Sequence, residues 1–185
     1  GGRDRGLDPS VFGLHCTIGQ DNIADFPFYG DVDGFITYHH ENVDGTGLFH
    51  KRDGEVPLAA KIIHLADMVD VTCNVKDVSA GNYKSILNYL NSNTGLMFPR
   101  ELVHHFLTKF TEDFYLSLKG RSMNDLLSEE LPHNLREYPF DQIRKVMNVF
   151  GQIVDYKSSS PAAIHSAWQK KSPKWLVSMA MMKVL

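Results

Sequence analysis

The sequence predicts an all-α fold, and three observations carry the prediction. Apolar residues recur at three- and four-residue spacing in successive segments. Prolines and glycines punctuate those segments where helices start and stop. No alternating strand pattern of useful length occurs anywhere, and no repeat of 20–50 residues stands out.

Taken in order, residues 1–12 are rich in Gly and Asp and read as an extended lead-in. From Phe12 to Phe28 the apolar positions Leu14, Ile18, Ile23 and Phe26 are loosely helical and end at Pro27. Asp31 to Glu41 reads as a helix with Phe35, Ile36, Tyr38 and His39 on its inner side. Asn42-Val43-Asp44-Gly45-Thr46-Gly47 is turn chemistry, and a polar loop comes next, through Asp53-Gly54. Val56 to about Val75 gives the strongest helix signal. Pro57 suits its first turn, and Leu58, Ile62, Leu65, Met68, Val69 and Thr72 recur on one side.

A further helix spans Asn82 to Leu90 and closes at Asn93-Thr94-Gly95. Pro99 opens the next, which runs through Leu102, Phe106, Phe110 and Phe114 to about Leu118. Residues 119–139 suit a linker or a short capping helix. Phe140 to Tyr156 resumes a helical period with Ile143, Val146, Met147, Phe150 and Ile153. Ser158-Ser159-Ser160-Pro161 is a break and a new cap, before two helical pieces split at Ser172-Pro173.

Composition narrows the function classes. The chain has 185 residues, 43% hydrophobic and 22% charged, which is ordinary for a globular protein. A net charge of -3 argues against a general nucleic-acid binder, which needs a basic excess, but leaves room for a local anion pocket. Cys16 and Cys73 form no C-x-x-C pair, so no disulfide framework or zinc ribbon is indicated, and two such thiols fit a reducing, cytoplasmic setting. No apolar run reaches the roughly 18 residues of a membrane span. The longest, Pro57 to Cys73, is interrupted by Lys61, His64, Asp67 and Asp70. The opening Gly1-Gly2-Arg3-Asp4-Arg5 shows no signal peptide and no initiator Met, so an upstream segment is expected to be missing.

The nine histidines carry the chemistry. His39-His40-Glu41 stands just before the Asp44-Gly45-Thr46-Gly47 turn. Asp67 is a carboxylate on an otherwise apolar helix face, where it needs a partner, and a metal ion is one. Imidazole with carboxylate suits iron, manganese or zinc rather than calcium. A helical histidine is ordinarily a surface or hydrogen-bonded residue, and His64, His104, His105 and His133 read that way.

The run from His39 to Gly47 resembles the second signature of HD-GYP domains, HHE-x-x-DG-x-G-Y-P. The continuation Asp53-Gly54-Glu55-Val56-Pro57-Leu58 and the Ala66-Asp67 helix are similar to the next segments of that family. Upstream, His15 with Gly19 matches the family's H-x-x-x-G helix. Downstream, Gly95 through Phe106 is similar to the segment that closes the domain. The resemblance covers roughly residues 12–118. It implies a helical bundle of the HD-domain type, with residues 1–118 as the C-terminal portion of an HD-GYP-like domain. It also implies a metal-dependent phosphodiesterase that cleaves cyclic di-GMP in bacterial signalling, through water acidified by divalent ions and attacking phosphorus in line.

Carried over by position, the resemblance makes His15, His39, His40 and Asp67 metal ligands for iron, manganese or zinc, with more than one ion expected if an upstream His-Asp dyad is supplied. Lys61 stands where a basic residue contacts phosphate, the catalytic role here. Glu41, Asp44, Gly45 and Gly47 shape the turn and support the ligands. Two departures favour the alternative of a degenerate, non-catalytic signalling or dimerisation module. Leu48-Phe49 replaces Tyr-Pro, and no His-Asp dyad precedes His15. Residues 140–185 resemble the start of a second HD-GYP domain, with His165 as its possible first ligand; a packing helix is the other reading. The nearly all-apolar Trp175 to Met182 helix then needs cover, so a homo-oligomer, most simply a dimer, is expected.

Overall fold

The computed structural model describes residues 9–24, 26, 30–130 and 137–148, and among them the chain is helical. Helices α1 (Pro9–Ala24), α2 (Leu58–Cys73), α3 (Ala80–Asn93), α4 (Arg100–Lys109), α5 (Glu112–Ser117) and α6 (Met123–Glu130) follow in order, with a 3-10 turn at Asp53–Glu55. Residues 140–148 are helical as well. Among the described residues strand-type pairing is confined to an isolated bridge between Thr94 and Phe98. No described helix is long and apolar enough to cross a membrane.

The core lies between α2, α3, α4 and α5. Pro57 caps α2, which buries Leu65, Ala66, Val69 and Cys73 before Asn74 ends it in the left-handed region. The Ser79 hydroxyl accepts from Asn82 N and starts α3, whose Tyr83, Ile86 and Leu90 face that surface. From α4 come Leu102, Val103 and Phe106, with the Phe106 and Phe110 rings stacked 4.7 Å apart. Tyr115 seals the end: its hydroxyl donates to the Asp77 carbonyl at 2.9 Å and accepts from Asn82 at 2.7 Å.

Three expectations are corrected. Helix α1 already begins at Pro9, inside the stretch read as extended, because a proline at the first helical position loses no hydrogen bond. The single helix expected from Pro99 to Leu118 is two. Phe110 leaves helical geometry at ψ 68°, and the Thr111 hydroxyl then caps α5 by accepting from Phe114 N.

The third correction concerns residues 31–41, which form successive turns rather than a helix. Gly34 has φ 73°, a left-handed value that a helix cannot continue. The Gln20 side chain on α1 then takes over backbone partners: its Nε2 donates to Val32 O at 2.9 Å, and its Oε1 accepts from Ile36 N and Thr37 N. A long-range side chain thus supplies what a helix would supply locally. Within 119–139, α6 is the short helix that stretch allowed. The Trp175–Met182 segment and most of the second-unit reading lie outside the described residues.

Candidate metal centre

Helix α1 and the turns of residues 33–40 meet at Gly19. A Cβ there would fall 2.7 Å from the Ile36 Cγ2 methyl, so a side chain at this position would push Ile36 and its turn away from α1. The close contact carries His39 and His40 onto His15, one turn earlier on α1, and gives the paired His15 and Gly19 a physical reason.

The three imidazoles and the Cys16 thiol converge. One donor atom from each of His15, Cys16, His39 and His40 lies within 4.8 Å of all the others. His15 Nε2 and His40 Nε2 are 3.1 Å apart, and Cys16 Sγ is 3.5 Å from His15 Nε2. Metal bonds of zinc length set donor–donor edges of about 3.3–3.7 Å in a tetrahedron. The donor set therefore fits one ion with little closure, and the cluster can hold a metal ion.

Protonation suits that role at His39 and opposes it at Cys16, whose proton an ion would have to displace. His39 Nδ1 donates to the Ile36 carbonyl at 2.5 Å, which fixes its proton there and leaves Nε2 with a lone pair. Burial pushes the His39 pKa below its ordinary value, against the Ile36 carbonyl and the Asp67 charge, which favour the imidazolium. The Cys16 thiol is pushed up to about 12 by burial and by the Glu41 charge.

Of the four expected ligands, three are thus brought together. Asp67 lies outside the four-donor group, although its charge reaches His39. One residue outside the expected ligand set joins the donors, and a second lies beside them without being one. Cys16 is the first, and its only signal was its place beside His15. His64 is the other: it is 3% exposed, with Nε2 3.2 Å from Asn42 Oδ1 and its ring 6.3 Å from that of His40. His104 and His105 are exposed, as expected, while His133 and His165 lie outside the described residues.

Glu41 and the turn hold this arrangement. The buried Glu41 carboxylate accepts from Phe49 N at 2.6 Å and Lys51 N at 2.5 Å. Asp44 is exposed and turned into its own loop, accepting from Thr46 N and Thr46 Oγ1, which lowers its pKa. Gly45 sits in that loop at φ 82°. At Gly47 a Cβ would stand 2.5 Å from Glu41 Cα and 2.8 Å from Asn42 N. Gly47→Ala should therefore lower stability by about 1–3 kcal/mol, read from the urea midpoint; an unchanged midpoint would contradict the close approach. After it, Leu48 and Phe49 are half-buried, with the Phe49 ring edge-on to Tyr38 at 5.9 Å.

Lys61 projects from α2 one turn before His64 and pairs with Asp53 at 2.6 Å. The two line a small pocket with Glu41, Asn42, His64 and Met97. The Lys61 charge is already answered by a carboxylate. No family model, curated protein or solved structure matches the chain.

Proposed function

We propose that the chain is a metal-dependent phosphodiesterase domain of the HD-GYP type, acting on a cyclic dinucleotide such as cyclic di-GMP. The observation that supports it is the meeting of His15, from α1, with the adjacent pair His39 and His40. The resemblance joins these same residues in one ligand set. His15, His39 and His40 would hold an ion, and Asp67, whose charge already acts on His39, would serve it from α2. A bound divalent ion supplies Lewis acidity to the phosphodiester. Lys61 would stabilise charge on the phosphoryl oxygens, with substrate displacing Asp53 from its ammonium. Glu41 and Asp44 hold the loop and keep the imidazoles oriented.

A second reading, a non-catalytic module that keeps the metal site, is favoured by the Lys61–Asp53 pair, which occupies the cation meant for phosphate. A homo-oligomer joined through residues 140–185 belongs to either reading. Phe140, Ile143 and Met147 are exposed on 140–148, an apolar face of the kind that partners cover.

The test is metal content of the purified chain together with hydrolysis of cyclic di-GMP, with chromatography of the products. Bound metal with turnover is the expected result. His39→Ala should then weaken metal binding by more than the roughly 10–100-fold typical of an outer-sphere change, and abolish turnover. Metal without turnover would overturn the enzyme in favour of the module. A chain that binds no divalent ion would overturn both.

A further inference from the structure

Cys16 and Cys73 are both buried thiols, and their surroundings differ in kind. Cys73 belongs to the hydrophobic core, among Leu65, Val69, Tyr83 and Ile86, where a free cysteine behaves as a small apolar residue. Cys16 has no exposed surface at all and yet is absent from that core cluster. Its sulfur lies 3.5 Å from His15 Nε2 and 4.0 Å from Nδ1 on the His39 ring, and it belongs with His15, His39 and His40 to one group of donors within 4.8 Å of one another. Such surroundings are wasted on a packing thiol and match those of a ligand.

We infer that Cys16 is the fourth donor of the site, and that the site takes a thiolate-binding tetrahedral ion of the zinc or cobalt(II) class. The inference rests on the metal-site reading above and changes its chemistry. Three imidazoles and a carboxylate accept iron, manganese or zinc alike, whereas sulfur favours the softer, tetrahedral ions. Binding replaces the S–H bond of Cys16 by a sulfur–metal bond, and the proton passes to solvent. The imidazoles lend lone pairs and release none, because His39 keeps its proton on Nδ1 toward Ile36. Three imidazoles and a thiolate complete a tetrahedron, so water or a phosphoryl oxygen would reach such an ion only as a fifth ligand. An ion held this way braces the junction of α1 with residues 33–40, and the ligand class is set by one atom.

The full chain, purified under reducing conditions and stripped of metal, is titrated with cobalt(II) and monitored by absorption. One cobalt per chain is expected, with the intense visible bands of a tetrahedral ion and a thiolate-to-cobalt charge-transfer band in the near ultraviolet. Zinc should displace it. Cys16→Ser should lose the charge-transfer band and bind about tenfold or more weakly. Cys73→Ser should keep the band, with circular dichroism confirming that each variant is folded. A wild-type cobalt complex without the band, or a band that tracks Cys73, removes Cys16 from the site and leaves the three-histidine reading standing. No cobalt uptake at all overturns that reading too.

Discussion

Replacing Glu41 with alanine is expected to cost about 3 kcal/mol or more of folding stability and to dismantle the site. Glu41 is 3% exposed, and its two oxygens separately accept Phe49 N and Lys51 N at 2.6 and 2.5 Å. Hydrogen bonds to a charged group contribute about 1.5–3 kcal/mol each, and truncation leaves both amides without their acceptor. The carboxylate charge is thus met largely by backbone dipoles that curl around it. Because Glu41 comes directly after His40, the loop it closes also fixes where the imidazoles point. Glu41→Gln keeps one acceptor but turns an NH2 toward the other amide, so an intermediate loss is expected. Urea unfolding of the three proteins measures the series; equal midpoints would mean that the loop closes without this carboxylate.

Acidification gives the second large effect. The His64 pKa is pushed down to about 4 by burial and by the His39 charge, with the His39 carbonyl opposing. Above its ordinary value of 6.5 the residue is neutral in both folded and unfolded chains and contributes nothing to the slope. Between 6.5 and about 4 the unfolded chain takes up a proton that the folded chain refuses, so stability falls as pH falls. Below about 4 both states carry the proton and the penalty is complete. The metal-free protein should lose about 3 kcal/mol across this window. The His39 shift acts in the same direction. His64→Gln can still donate to Asn42 and should flatten most of the slope in urea unfolding at successive pH values. A variant as pH-sensitive as the parent would show that another group governs acid stability.

The helices were legible where local chemistry decides them. Pro57 and Pro99 mark the starts of α2 and α4, and of the recurring α2 positions Leu65 and Val69 are buried, whereas Leu58 and Thr72 are exposed and Cys73 takes the last buried place. The turns of residues 33–40 were not, because Gly34 interrupts the helical path and Ile36 N and Thr37 N find their acceptor on Gln20, sixteen and seventeen residues away in sequence. The break before α5 depends on one hydroxyl, Thr111, inside an apolar period that runs through it. At the site, the family-like run joined His15 to His39 and His40 across the intervening chain. It could not supply Cys16 or His64. A cysteine's neighbours are decided by how closely Gly19 lets Ile36 approach, and a helical histidine's by which loop covers it. Nor could spacing reveal that Asp53 claims the Lys61 ammonium.

The apolar cluster runs from Leu65 to Tyr115, and even its partly buried margin begins only at Ile62. Among the described residues, α1 and the turns that bear His39 and His40 supply none of its members. They are fastened instead by Gln20, Glu41 and the loop amides of Val43 and Asp44, which donate to Met97 O and Leu96 O. With fewer buried apolar residues described around it, this part is expected to act as a weaker cooperative unit than the core and to open at a lower free energy. The upper limit on the life of the assembled imidazole cluster is then set by the weaker unit, not by global unfolding. An ion joining residues 15–16 to 39–40 crosslinks only that unit, so its occupancy would set the weaker threshold and leave the stronger one untouched.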